Sequence, residues 1–251
     1  MKNANVLALA GLVFTGLLSS CEPNNPEKIS LALHVETTFD NAPVVFDVSK
    51  HVNQAGETLV FKRLDYLLSD FTLLGGPNGD VGIKGSYAFV KGKAGAGHIE
   101  LDSIPVGQYT GIRFNIGLDS MVNHSDPSQY GPSHPLNPNV NKLHWDWTGG
   151  YIFTALEGTY KHPGHPESVF LYHMALDRNK RSVTVSFPMD LTKRDKMLHV
   201  DYNLAEIFRN PATFSIEEKG DFSHSTFDNG IVEALVANMG DVFTAKHLQN
   251  K

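Results

Sequence analysis

The run ISLALHV at residues 29–35 alternates apolar residues with small or polar ones, which is the pattern of a β-strand with one buried face. Similar short runs, rich in β-branched and aromatic residues and bounded by Gly, Pro, Asn or Asp, recur at residues 58–62, 66–74, 87–90, 109–118, 151–156, 169–175, 183–187 and 198–204. Strands that follow one another without intervening helices predict an all-β fold, here an antiparallel β-sandwich with long loops.

The C-terminal region has a different pattern. Apolar residues at positions 231, 232, 235 and 236 predict a short amphipathic helix over Ile231 to Asn238. Val242, Phe243 and Leu248 continue the apolar spacing imperfectly, so we expect one C-terminal helix with a break near Gly240. Neither an internal repeat nor a domain linker is evident, and residues 28–251 are therefore predicted to form one β domain.

Composition excludes several classes of protein. The chain has 251 residues, 41% of them hydrophobic and 19% charged, which is too apolar for intrinsic disorder. Its net charge of −6 does not match the basic surface that nucleic-acid-binding proteins use to contact phosphates. With one Cys in the chain, an intramolecular disulfide framework and a Cys-rich zinc site are both excluded.

The N-terminus resembles a bacterial lipoprotein signal. Lys2 precedes an apolar stretch from Val6 to Leu18, which ends in small residues and then Cys21. This order predicts a signal peptide over residues 1–20, lipidation of Cys21, and a polar, Pro-rich tether over residues 21–27. An ordinary secretory signal with an incidental Cys is the alternative. Because no apolar run of 18 residues follows residue 20, acyl chains are expected to hold the protein to a membrane of the cell envelope, facing the periplasm or the cell surface.

The chain lacks the common catalytic motifs and is rich in histidine. A Gly-x-Ser-x-Gly elbow, a Walker A loop and a His-Glu-x-x-His pair are all missing, so no enzymatic activity is predicted. Twelve His against one Cys mean that a bound metal would be held by imidazole, carboxylate, thioether or backbone oxygen. Imidazole suits copper and zinc.

The two Trp residues of the chain lie together in His144-Trp145-Asp146-Trp147, directly after a Pro-rich loop at residues 119–143. A loop of that length in a compact domain is uncommon unless it is functional or disordered. If a strand starts at His144, His144 and Asp146 face one side and the two Trp side chains face the other. His144 is then either a metal ligand fenced from water by a Trp, or a surface residue beside two core Trp residues.

Other histidines lie in contexts with both a structural and a functional interpretation. His173 lies in an apolar strand, where a buried imidazole needs a hydrogen-bond partner or a metal, and Met174 would point away from it. His162-Pro-Gly-His165 favours a hairpin tip over a metal site, and His34 is either a half-buried strand residue or an additional ligand. Spacing assigns no role to the histidines at positions 51, 98, 124, 134, 199, 224 and 247.

Carboxylates leave a second option open. No catalytic pair is visible, but a calcium site could assemble from scattered carboxylates and carbonyl groups. The candidates are Asp65, Asp70, Asp119 and Asp146.

Four blocks of sequence, taken in order, resemble the MbnP-like family, whose relatives include the copper proteins MopE and CorA. The blocks are Tyr66 to Leu74, Ile104 to Gly117, His144 to Gly158, and Phe170 to His173. The resemblance extends over roughly residues 28–248, and residues 104–173 carry most of its specificity.

The resemblance implies an extracytoplasmic all-β domain that binds copper as Cu(I). Two imidazoles and a tryptophan oxidised to kynurenine would hold the ion, and a dihaem peroxidase-like partner would carry out the oxidation. His144 and His173 match the family's His-containing blocks, and Trp145 or Trp147 is the candidate for oxidation. Indole nitrogen is a donor only, whereas kynurenine exposes an amine that can bind a metal.

These observations together predict a lipoprotein that binds copper for acquisition, storage or delivery. The alternative is a structural or interaction module of the same fold without a functional metal site.

Overall fold

The computed structural model describes residues 27–145, 150–225 and 230–251. The predicted signal peptide, Cys21 and most of the predicted tether lie outside the described residues, as do Asp146 and Trp147. Within the described ranges, no helix combines the length and apolar character needed to cross a bilayer.

Strands make up most of the structure. They are β1 (Lys28–Phe39), β2 (Ala42–Pro43), β3 (His51–Val52), β4 (Thr58–Gly76), β5 (Gly79–Gly82), β6 (Tyr87–Lys91), β7 (Gly97–Pro105), β8 (Gly107–Ile116), β9 (His144–Trp145), β10 (Gly150–Lys161), β11 (Ser168–Ala175), β12 (Arg181–Leu191), β13 (Lys196–Asn203), β14 (Phe222–Ser223) and β15 (Phe243–Asn250). The helices are short: α1 (Ser120–Asn123), α2 (Pro138–Asn141), α3 (Leu204–Ile207), α4 (Ile216–Lys219) and α5 (Ile231–Asn238), with 3₁₀ turns at Gly92–Ala94, Pro127–Gln129 and Asp177–Asn179.

The strands form two sheets around one main core. In the first sheet the order is β15-β13-β1, and β2 and β7 both pair with β1. The second sheet has the order β12-β8-β4-β10-β11-β14, with β3, β5 and β6 paired with β4 and β9 paired with β10. Alternate side chains of both sheets meet in the core, among them Leu33, Phe61, Phe114, Phe170 and Tyr202. The prediction of an all-β sandwich is confirmed.

Two strand pairs are parallel within the otherwise antiparallel sandwich. β1 runs parallel to β13, and the short β14 runs parallel to β11. Strand direction depends on how the connections cross between sheets, and alternation within a strand carries no information about it.

The C-terminal region contains the predicted helix α5, but no helix follows Gly240. Residues after it form β15, which pairs antiparallel with β13. Phe243 is buried there, and its ring lies 4.9 Å from the rings of Phe114 and Tyr202. Pairing with β13 and burial of Phe243 thus outweigh the weak helical spacing.

The Pro-rich loop at residues 119–143 packs on the outer face of the second sheet. It contributes Leu136 and Leu143, both fully buried, to a second apolar cluster that includes Leu67 and Phe153. The Tyr151 hydroxyl donates to the Leu136 carbonyl oxygen at 2.6 Å. The loop is therefore an ordered cover, and it positions the start of β9 against β10.

Candidate metal centre

His173 projects from the outer face of the second sheet. Its strand, β11, directs Phe170, Tyr172 and Met174 into the main core, so the intervening His173 points the other way. As predicted, Met174 and His173 lie on opposite faces. His173 is nevertheless only 9% exposed, because the residues after β14 and the β9 strand lie over it.

Both ring nitrogens of His173 have close partners. Its Nε2 lies 2.9 Å from Glu157 Oε1, and its Nδ1 lies 3.0 Å from Nδ1 of His224. His224 follows β14, and the next residue fixes its position, because the Ser225 hydroxyl donates to the His173 carbonyl oxygen at 2.7 Å. The parallel pairing of β14 with β11 therefore brings these two imidazoles together.

Glu157 sets the orientation of His173. The same oxygen, Oε1, accepts a hydrogen bond from Arg63 Nη1 at 2.9 Å, while Arg63 Nε donates to Asp65. Hydrogen bonding from His173 and the charge of Arg63 hold the pKa of Glu157 below its usual value, against the opposing effect of burial. An ionised Glu157 accepts a hydrogen bond from the Nε2–H group of His173, which leaves the lone pair of His173 on Nδ1, facing His224.

His224 shares a hydrogen bond with His173, and a metal between the two Nδ1 atoms would displace the proton of that bond. Burial lowers the pKa of the His224 imidazole, and the neighbouring His173 lowers it further. Two nitrogens that bind one ion at about 2.0–2.1 Å lie within roughly 4.2 Å of each other. The separation of 3.0 Å between the Nδ1 atoms is inside that limit. We call His173 and His224 the imidazole pair.

Trp145 lies beside the imidazole pair. Its ring centroid is 6.3 Å from that of His173 and 5.8 Å from that of His224. His144, one residue earlier in β9, has its ring 4.8 Å from the Tyr151 ring. The alternation expected for a strand at these two residues is therefore present, and it directs Trp145 to the imidazole pair. The ligand role of His144 stays a prediction.

The structure brings Trp145 and His173 together and adds His224, to which spacing gave no role. His224 belongs to no recognisable motif and lies 51 residues after His173 in the sequence. Its proximity to His173 becomes visible only in the pairing of β14 with β11. His34 lies elsewhere. It is in the first sheet and points away from the main core, so it is on the opposite outer surface of the sandwich from His173.

The predicted carboxylates have separate partners. Asp65 accepts from Arg63, Asp70 accepts from Asn115 at 2.8 Å, and Asp119 accepts from the Val122 amide at the start of α1. In the described part of the chain, no three His, Cys, Asp or Glu side chains already stand arranged as a metal site. The remaining candidate pair, His162 and His165, lies at the β10–β11 hairpin tip, as expected.

Comparison with known proteins gives one family and one structure. The MbnP family model matches residues 28–226. A structure titled "MbnP from Methylosinus trichosporium" aligns with a TM-score of 0.55 at 14% identity, covering 88% of this chain and 98% of the other. That similarity shows a shared fold. No curated protein matches. Because the family model extends over most of the sequence, the chain belongs to the MbnP family.

Proposed function

We propose that this protein is a copper-binding lipoprotein of the cell envelope, and that it serves in copper acquisition, storage or delivery. One observation carries the proposal. The Nδ1 atoms of His173 and His224 lie 3.0 Å apart, and a carboxylate occupies the other nitrogen of His173. A metal-bound imidazole commonly has such an acceptor on its second nitrogen.

The donor set fits copper. Neutral imidazole is a preferred ligand of copper and zinc, and the lowered pKa of His224 favours its neutral form. The Trp145 ring is placed so that an amine formed from it could join the two nitrogens. Such an amine requires oxidation of the indole to N-formylkynurenine, in which two equivalents of hydrogen peroxide each supply one oxygen atom and leave as water. Hydrolysis then releases one carbon as formate and leaves kynurenine. A dihaem peroxidase-like partner is the proposed catalyst of the oxidation.

Anchoring follows from the N-terminal sequence. Cleavage before Cys21 and acylation of its sulfur would attach the β domain to a membrane surface through the tether. We propose no turnover of a substrate, since the protein would hold and transfer the ion itself.

The test measures Cu(I) stoichiometry of the full chain under reducing conditions. We expect bound copper in the parent protein and its loss in the double variant His173→Ala, His224→Ala. The matched control is His162→Ala, His165→Ala, which removes two imidazoles from the hairpin tip and should leave copper unchanged. Undiminished copper in the first double variant would contradict the proposal and favour an interaction module without a metal site.

Single variants separate the two possible ligand pairs. Loss of copper in His224→Ala with retention in His144→Ala supports the imidazole pair described here. The reverse result would restore His144 with His173 as the ligands. Peptide mass mapping tests the oxidised donor, because kynurenine differs from tryptophan by one added oxygen and one missing carbon. We expect that change at Trp145, and finding it at Trp147 instead would contradict this assignment.

A further inference from the structure

Four histidines line up across the first sheet, far from the imidazole pair. The strand order places β15, β13, β1 and β7 side by side. The registers pair His247 with His199, His199 with His34, and His34 with His98. Directly paired residues of neighbouring strands point to the same face of a sheet. We call these four residues the histidine row.

The histidine row lies on the outer face of the sheet. In β1 and β13 the neighbouring Leu33, Val35, Leu198 and Val200 point into the main core, so the histidines between them point outward. His98 and His247 at the two ends are exposed, whereas His34 and His199 in the middle are half-buried. An ion in solution can therefore reach the row from His98.

Contacts within the row place ring nitrogens together. His34 Nδ1 lies 3.1 Å from His98 Nε2, and the His34 ring centroid lies 4.7 Å from that of His199. His199 Nε2 is buried and has no hydrogen-bond partner among the described residues. A buried polar atom without a partner is costly, so its retention here requires an explanation.

Glu36 occupies the other nitrogen of His34. Its Oε1 lies 3.5 Å from His34 Nε2, on the same face of β1. If Nε2 carries the proton, the lone pair of His34 is on Nδ1 and faces His98. Glu157, His173 and His224 follow the same order of carboxylate, imidazole and second imidazole in the other sheet, with a closer carboxylate contact of 2.9 Å.

We propose that the histidine row is a second metal site, in which His34, His98 and His199 bind one divalent ion of the zinc or copper(II) class. Such ions favour imidazole, and three protein ligands leave one position open to solvent. The distance of 3.1 Å between the His34 and His98 nitrogens suits a shared ion. The His199 ring completes the set by turning about its Cβ–Cγ bond, a torsion with a broad energy minimum.

The row borders open space on the side of Glu36 and His199. A cavity of about 340 Å³ next to it is lined by Glu36, His199 and His247. The His247 ring stacks on the His199 ring at 4.1 Å, with 14° between their planes, and because His247 is exposed it can turn together with His199.

The test uses the full chain with His173→Ala and His224→Ala, so that the imidazole pair is absent and failure of the copper proposal does not affect the result. Zn²⁺ is the probe, measured by competition with a chromophoric chelator. We expect one bound equivalent. Loss of a group that orients a metal ligand lowers metal affinity by roughly 10–100-fold, and we expect Glu36→Gln to lower the Zn²⁺ affinity within that range. His98→Ala removes a ligand itself and should lower the Zn²⁺ affinity by more.

His98 is suited to this test because its side chain is exposed, so its truncation should not unfold the sheet. The control is His124→Ala, an equally exposed histidine outside the row, which should leave Zn²⁺ affinity unchanged. Imidazole NMR signals of His34, His98 and His199 should shift with one equivalent of Zn²⁺, and those of His51 should not. Equal affinity in the parent and His98→Ala chains, or equal losses for His98→Ala and His124→Ala, would overturn the proposal.

Discussion

At Glu157 a single carboxylate oxygen contacts both Arg63 and His173, with each distance 2.9 Å. Replacing it by Gln removes the charge that selects the Nε2-protonated form of His173. We therefore expect Glu157→Gln to weaken copper binding by roughly 10–100-fold, the range for loss of a group that orients a metal ligand. A Cu(I) competition titration measures this.

Glu217→Gln is the matched control for that change, because Glu217 also contacts a histidine, His165, at 2.9 Å but lies outside the imidazole pair. It should leave copper affinity unchanged. Copper affinity of Glu157→Gln equal to that of the parent would show that His173 needs no carboxylate to act as a ligand.

Sequence reasoning identified part of the candidate site. Trp145 and His173 carry visible cues, since one lies in a Trp-containing tetrapeptide and the other is a polar residue in an apolar strand. His224 has no such cue, because its surroundings, Phe222 to Ser225, show no periodicity. His224 lies next to His173 because β14 pairs with β11, which is distant in the sequence. Local sequence patterns do not predict such a pairing.

The covering loop at residues 119–143 supports β9. A substitution in this loop should therefore affect the metal centre. Leu136 is fully buried in the second apolar cluster, and its carbonyl accepts from Tyr151. Leu136→Ala should lower the free energy of unfolding by about 2–5 kcal/mol. Because β9 carries Trp145, the same variant should also weaken copper binding.

Urea denaturation and Cu(I) titration of one preparation check both effects. Val140→Ala is the control, since Val140 is in the same loop but exposed. If Leu136→Ala lowers the free energy of unfolding as expected but leaves copper affinity unchanged, the loop supports the fold and not the metal centre.

β15 is a strand in a region where the sequence predicted the continuation of a helix. Its residues after Phe243 are mostly polar and exposed, as expected for an edge strand, so only Phe243, Ala245 and Leu248 carry apolar information. Helical and strand spacings cannot be separated from so few positions. By contrast, β1, β8 and β11 have one strongly apolar face. The predicted bounds of β8 and β11 and the predicted start of β1 lie close to those observed, whereas β1 continues beyond Val35 to Phe39.

Phe243 tests whether β15 contributes to the core as the structure indicates. It packs against the rings of Tyr66, Phe114 and Tyr202. Phe243→Ala should cost about 3–5 kcal/mol in the free energy of unfolding, as for other buried Phe residues. Thr244→Ala, at the exposed next position, should change it little. If Phe243→Ala and Thr244→Ala both change the free energy of unfolding only slightly in urea denaturation, the packing of β15 is contradicted.

For the molecule as a whole, titration of half-buried histidines should couple stability to pH. Burial lowers the pKa of His51, His134, His199 and His224 in the folded chain. The unfolded chain then binds more protons than the folded chain as pH falls below about 6.5, so stability should decrease there. Hydrogen bonding lowers the pKa of Glu157, which extends the loss below about pH 4.5.

Urea denaturation of the metal-free chain, kept in chelator because bound metal adds stability of its own, measures this dependence. The free energy of unfolding should be lower at pH 5 than at pH 7. A higher value at pH 5 would mean that the histidines gain favourable partners on protonation, in conflict with their buried surroundings.

The parallel pairing of β1 with β13 has a consequence for how the chain reaches its native state. The Ser30 amide donates to Asp195 at 2.8 Å across a separation of 165 residues. β1 can pair with β7 early, but its other edge pairs with β13, which is synthesised near the end, and such non-local pairings make folding slow. The first sheet therefore cannot be completed until β13 and β15, the last long strands of the chain, have been made.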